Sequence, residues 1–292
     1  MVFVCVVSWT IAGVAIWLGM REARGLGYTV FASLYMWLPA VCAVIFQIKN
    51  QEKPLRNLHV SFRLNWWFLV AGIVPIVYSF MAMGISLLFP SVSFSVDYEG
   101  YLALLPAEQA ELAGLQLSQF SPIVYFLIML VSAVIAGYTI NALFAFGEEF
   151  GWRAYLLRAL KNKKLTQVSL ITGAVWGLWH FPLILIGHNY PQHPVAGVGM
   201  MIVLCILLSP TMTYIVIKSK SVITAAIFHG TNNAIAGISL LYLTGGNDFI
   251  NGVTGIAGFT ALLLVNFAFY LYDKYVTKEN IFTREIGDFF RF

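Results

Sequence analysis

Residues 122–157 read PIVYFLIMLVSAVIAGYTINALFAFGEEFGWRAYLL. No charge appears from Pro122 to Gly147. Two adjacent carboxylates then follow, Glu148 and Glu149, with Arg153 four positions after the second. An apolar run of this length calls for a bilayer, whose hydrocarbon core takes about 20 such residues. The first dense basic cluster comes only at Lys161–Lys164. Thirteen positions separate Glu148 from Lys161, about 20 Å of helix at about 1.5 Å per residue. The carboxylates are therefore expected well below the membrane surface. The whole stretch is too long for one straight span, which predicts a tilt, a break or a re-entry near Gly137, Gly147 or Gly151.

The rest of the chain fits a membrane setting. Of the 292 residues, 60% are hydrophobic and 10% charged, against about 25% charge in soluble domains. Mean hydropathy is +0.81. A net charge of +4 without a basic, aromatic-interleaved run excludes nucleic acid as a partner. Cys5, Cys42 and Cys205 lie far apart inside apolar runs and read as small apolar fillers. The opening Met1–Met20 stretch lacks a basic leader and reads as a retained helix rather than a signal peptide.

Eight uncharged apolar stretches are discernible, over 2–20, 28–47, 66–89, 122–147, 168–187, 195–217, 222–243 and 254–272. They predict an all-α polytopic bundle of about eight spans. Pro39, Pro75, Pro182 and Pro210 fall within them. Three divisions are expected: N-terminal helices and an outer loop over 1–121, a catalytic helical core over 122–243, and a last helix with a tail over 244–292. Connector 48–65 carries Lys49, Lys53, Arg56 and Arg63, 153–164 has five basic residues, and 218–220 has two. Connector 90–121 has Asp97, Glu99, Glu108 and Glu111 with no Lys or Arg, and 188–194 and 244–253 also lack basic residues. The positive-inside rule then puts both termini in the cytoplasm, with Arg21 and Arg24 as the discordant pair. The expected location is the plasma membrane. Segment 101–118 reads as a short helix lying on the outer face.

Ionisable groups inside a membrane are costly and mark function. Three clusters qualify: Glu148-Glu149-Phe150-Gly151-Trp152-Arg153, Trp176-Gly177-Leu178-Trp179-His180, and His229-Gly230-Thr231-Asn232-Asn233. Taken singly each has a plain alternative. Glu149 and Arg153 suit a helix ion pair at i, i+4, His180 a core histidine bonded to a carbonyl, and His229 with Asn233 polar contacts between helices. Together they sit at compatible depths on three helices. A carboxylate deprotonates water, an imidazole shares that water or binds a metal, and an imidazole with an amide donates to an oxyanion. This equipment suits peptide hydrolysis without a serine or cysteine nucleophile. The soluble His-Glu-x-x-His zinc signature is absent.

The ordered trio resembles the motifs of the CPBP intramembrane proteases, which include type II CAAX prenyl endopeptidases and bacteriocin-immunity relatives. Glu148, Glu149 and Arg153 match Glu-Glu-x-x-x-Arg. His180 matches Phe-x-x-x-His, with Trp176 in place of the usual phenylalanine, and His229 with Asn233 matches His-x-x-x-Asn. The likeness covers roughly 122–243. It implies Glu148 as general base, His180 as its partner on the water, His229 and Asn233 as oxyanion donors, and Glu149 and Arg153 as supports. Such proteins are often classed as metalloproteases. His180 and His229 with a carboxylate are a candidate zinc set, and the same groups work equally without an ion. The expected activity is endoproteolysis of a membrane-associated protein or peptide at a site open to the cytoplasm, with CAAX-type prenylated proteins as the substrate class the resemblance implies. The rival expectations are a proton- or solute-coupled transporter, for which no inverted repeat is discernible, and a non-proteolytic immunity or scaffold protein.

Overall fold

The computed structural model describes residues 1–20, 26–53, 57–103 and 107–290. The architecture is the all-α bundle the composition predicts. In chain order the helices are α1 (Val2–Ala15), α2 (Leu26–Tyr35), α3 (Leu38–Lys49), α4 (Trp66–Ser86), α5 (Glu99–Leu102), α6 (Ala107–Leu117), α7 (Pro122–Tyr138), α8 (Ile140–Glu149), α9 (Leu157–Ala159), α10 (Leu165–Trp179), α11 (Phe181–Leu185), α12 (Pro194–Ser219), α13 (Ile223–Leu241) and α14 (Ile256–Leu271). One short antiparallel pair, β1 (Val92–Phe94) with β2 (Leu243–Gly245), is the only sheet among the described residues.

Among the described residues, five helices are long and apolar enough to cross a membrane: Val2–Met20, Leu26–Lys49, Trp66–Ser86, Pro194–Ser219 and Ile256–Thr277. A sixth counts if α6 and α7 form one bent unit, with 103° between them. Three of the eight expected stretches therefore depart from a simple span. The 122–147 stretch breaks at Thr139 and the 168–187 stretch breaks at His180. The third, 222–243, holds a continuous helix, α13, but Thr224, His229, Thr231, Asn232 and Asn233 dilute its apolar character. Prolines also divide into two kinds. Pro39 and Pro182 stand in the first turn of their helices, where no helical N–H is needed. Pro75 and Pro210 lie inside long helices, where membrane neighbours tolerate them.

The connectors sort onto two faces. On one, Arg158 pairs with Glu52, Lys218 pairs with Glu279 at 2.6 Å, and the backbones of Lys164 and Glu285 form an antiparallel bridge that holds the C-terminal tail. Val222 N–H donates to the His59 carbonyl at 3.0 Å. All the basic connectors therefore meet there. On the opposite face, the β1–β2 pair joins connector 90–121 to 244–253. There Asp248 also accepts from the Gln192 and His193 backbone at 2.8 and 3.2 Å. The alternation read from charge thus corresponds to two faces in space. Arg21, Arg24, Arg56 and the side chain of Glu108 lie outside the described residues.

Small residues set the closest helix crossings, as membrane packing favours. A Cβ on Gly173 of α10 would come within 2.5 Å of the Ile206 Cα on α12, and one on Gly177 within 2.4 Å of the Ile202 Cα. On α13, a Cβ on Gly230 would meet the Ala142 nitrogen of α8 at 2.5 Å. These crossings hold α8, α10, α12 and α13 side by side around one interior. Gly173→Val should lower stability by about 1–3 kcal/mol through overpacking, seen as a reduced melting temperature in detergent. Gly199→Ala faces open space and should melt as the wild type does; equal melting of all three proteins would contradict the packing assigned to Gly173.

Candidate active site

The break at Thr139 starts the site. Its backbone leaves the helical region (φ −121°, ψ −99°), and its hydroxyl donates back to the Ile135 carbonyl at 2.6 Å. The helix then restarts as α8, whose last two residues are Glu148 and Glu149. Of the three expected break points, Gly137 is the near one, two residues before the break. Residues Phe150–Leu156 continue as a π-helical turn containing Gly151, a distortion often found at functional sites. It keeps Arg153 on the side of Glu149. The second break follows from Pro182, which has no N–H to continue the ladder of α10. His180 is therefore the joint between α10 and α11. His229 instead lies within the unbroken α13, with Asn233 one turn further.

Each ionisable group has a partner. The Trp176 indole N–H donates to Glu148 Oε2 at 2.5 Å. The His180 Nδ1 lies 2.8 Å from the Trp176 carbonyl, so that nitrogen carries the proton and Nε2 is left as an acceptor. His229 Nδ1 is 2.9 Å from Glu149 Oε1. Arg153 pairs with Glu149 at 3.1 Å, donates to Ser209 Oγ at 2.9 Å and stacks over the Trp176 ring at 4.2 Å. Glu149 and Arg153 are 0% and 1% exposed, so water screens neither charge.

Glu148, His180, His229 and Asn233 line one cavity of 270 Å³. Glu149 and Arg153 do not reach it; they lie behind the wall and hold His229 and Trp176. The six residues singled out from the sequence are thus brought together, in two layers. Other members were not evident. Trp176 does more than keep an aromatic ring at its motif position, since a phenylalanine there has no N–H for Glu148. The Tyr78 hydroxyl donates to Asn232 Oδ1, and Asn232 Nδ2 donates to Asn233 Oδ1 at 3.3 Å. This leaves the Asn233 amide N–H groups free. Ser209, Tyr78 and Asn232 gave no signal beyond being polar in apolar helices.

The cavity also reaches His188, Asn189, Val253 and Thr254. His188 and Asn189 belong to connector 188–194 and Val253 to 244–253, with Thr254 directly after it, on the face opposite the basic connectors. The described lining therefore extends toward the connectors that lack basic residues, whereas the charge pattern leads one to expect access from the basic side. On the basic side of the cavity lie the Glu149–Arg153–Ser209 cluster and the buried turn 150–156. The zinc expectation fares differently. Among the described residues no three His, Cys, Asp or Glu groups gather closely enough to hold a metal ion. His180 and His229 share the cavity, but the donor set present does not fit the ion.

Fold and site together define a polytopic membrane protein with a buried carboxylate–histidine centre. Residues 119–235, which carry all three motifs, match the family described as type II CAAX prenyl endopeptidase Rce1-like. Over 268 residues the chain is 26% identical to CAAX prenyl protease 2 of Methanococcus maripaludis, covering 87% of this chain and 88% of that protein. These matches bear out the resemblance carried by the motifs: over residues 119–235 the chain is similar to type II CAAX prenyl endopeptidases, and over most of its length it is similar to a CAAX prenyl protease.

The buried ion pair sets a stability test. Arg153→Met strands the Glu149 carboxylate without its partner, which should cost about 3–5 kcal/mol. The melting temperature in detergent should fall, and adding Glu149→Gln to that variant should recover part of the loss. An unchanged melting temperature for Arg153→Met would contradict the role given to the pair.

Proposed function

We propose that this protein is an intramembrane endopeptidase that hydrolyses a membrane-associated, CAAX-type prenylated protein or peptide, using water activated by Glu148 and His180. One observation carries this reading. Glu148, His180 and His229 come from three separate segments and line a single cavity, whose described lining contains no serine or cysteine. The substrate class is supported by the name of the archaeal relative, a CAAX prenyl protease.

The reaction follows from the atoms left free. One Glu148 oxygen is occupied by the Trp176 indole, and the other takes a water proton as general base. The His180 Nε2 lone pair receives the second O–H of that water and fixes its direction. The water oxygen bonds to the scissile carbonyl carbon, and the carbonyl oxygen becomes an oxyanion. The Asn233 amide donates to it, aimed by the Tyr78–Asn232 relay. His229 donates from Nε2 when that nitrogen is protonated, with Glu149 balancing the charge across Nδ1. Donors fixed in a water-poor site stabilise such charge without reorganising. Glu148 then passes its proton to the departing amide nitrogen, the C–N bond breaks, and a new carboxyl and amine end are released. Arg153 pairs with Glu149 and holds the Trp176 ring in place. No step is routed through a metal.

Purified protein supplied with a farnesylated peptide ending in a CAAX sequence tests the reading. Glu148→Gln and His180→Ala should each lower cleavage by about 10²–10⁴-fold, the range of general acid–base catalysis. Trp176→Phe keeps the ring under Arg153 and removes only the N–H, so a loss of about tenfold is expected, about 1.4 kcal/mol of barrier. Wild-type rates in Glu148→Gln would sink the assignment. A rate abolished by a chelator and restored by zinc would overturn the metal-free route.

The orientation belongs to the same proposal. The gathering of the basic connectors on one face supports cytoplasmic termini in the plasma membrane. A cysteine introduced at Lys278 should resist a membrane-impermeant thiol reagent in intact cells and react in inverted vesicles. Labelling in intact cells would reverse the orientation.

A further inference from the structure

A third histidine lines the catalytic cavity and belongs to none of the motifs. His188 sits in the turn after α11, and that turn is tightly specified. Gly187 and Asn189 on either side both take positive φ, +97° and +61°. The first suits glycine, and the second suits asparagine better than most side chains. The His188 N–H donates to the Leu183 carbonyl at 3.0 Å, and its own carbonyl accepts from Tyr190 N–H at 2.8 Å. Tyr190 is fully buried and its hydroxyl ties the turn to the Thr254 carbonyl at 2.8 Å. The turn is therefore anchored to the other connector at this end of the cavity.

The ring itself is oriented. Tyr28 on α2 places its hydroxyl 2.9 Å from His188 Nδ1. Burial pushes the imidazole down to about 4, so the ring is neutral at ordinary pH and only one nitrogen bears a proton. With the Tyr28 hydroxyl as the donor to Nδ1, the proton lies on Nε2. No described residue accepts from that Nε2–H. The ring lines the cavity, so the fold presents a fixed, unpartnered donor in the space where a substrate would lie.

We propose that His188 is a further substrate-binding residue, whose Nε2–H donates to an acceptor oxygen of the bound peptide at the loop end of the cavity. The proposal rests on the endopeptidase reading above and adds a donor that none of the motif residues supplies. Two oxygens have the required chemistry: a backbone carbonyl of the segment beyond the scissile bond, or the carboxylate that ends the chain. A short C-terminal tail would carry both. Removing His188 should therefore weaken binding and leave the chemical step alone.

Affinity is read on the Glu148→Gln background, so that no turnover is required. The probe is a fluorescent farnesylated peptide ending in a cysteine and three further residues, prepared with a free carboxylate and as its amide. His188→Ala should raise Kd about tenfold, and His188→Gln, which keeps a side-chain N–H, should recover part of the loss. Tyr28→Phe should move Kd in the same direction by less. If the acceptor is the carboxylate, amidation weakens binding unless His188 is absent. If it is a carbonyl, the two peptides bind alike throughout. In the active protein, His188→Ala should raise KM and leave kcat within about twofold. An unchanged Kd in His188→Ala, or a fall in kcat alone, overturns the proposal. Failure of the wild type to cleave a peptide that it binds counts against the endopeptidase reading and not against this contact, and a peptide that does not bind at all overturns both.

Discussion

A single guanidinium ties four helices together. Arg153, in the turn after α8, pairs with Glu149 of α8, stacks on Trp176 of α10 and donates to Ser209 of α12. Glu149 in turn faces His229 of α13. An ion pair this far from water carries a desolvation penalty that only good geometry offsets. The residues that offset it are the ones that shape the cavity wall. The constraint acts in both directions: the fold satisfies the charges, and the charges fix the angular position of each helix around the cavity.

The interrupted helices follow from the same requirement. A straight span from Pro122 would run past the other helices, whereas the break at Thr139 restarts the chain as α8 with Glu148 and Glu149 at its end. The break at His180 places an imidazole at a helix joint, where its Nδ1 reaches the Trp176 carbonyl one turn earlier. Irregular backbone is tolerated at membrane depth where it is buried in protein or lines a cavity, and the break at His180 meets that condition; at Thr139 the side-chain hydroxyl returns to the Ile135 carbonyl. The one glutamate that faces the cavity is held by a neutral donor, the Trp176 indole. The other is held by Arg153. Two adjacent carboxylates thus have different surroundings, which suits a division between a reacting group and a supporting one.

Much of this was legible in the sequence, for a physical reason. Charged and imidazole side chains inside apolar helices stand out from their surroundings, so Glu148, Glu149, Arg153, His180 and His229 mark themselves. Asn233 follows from its helical spacing to His229. Ser209, Tyr78 and Asn232 do not, because a neutral polar side chain in a membrane helix usually serves only to join helices. The number of spans was also not legible. Hydropathy measures the length of an apolar run, not its straightness, so 168–187 looked like an ordinary span, and only the excess length of 122–157 called for a tilt, a break or a re-entry. The direction of the cavity required the turn at Gly187–Asn189 and the connector at Val253–Thr254, which have no charge pattern to reveal them. His188 was passed over because it stands at the end of an apolar stretch, where a lone histidine carries little information.

The central claim is that water, not a protein nucleophile, attacks the substrate under the control of Glu148. The most direct measurement is a single turnover of a farnesylated CAAX peptide in oxygen-18 water containing hydroxylamine. The account predicts one solvent oxygen in the new carboxylate, no hydroxamate product and no mass added to the protein. Hydroxamate formation, or a peptide fragment covalently trapped on the chain, would contradict it.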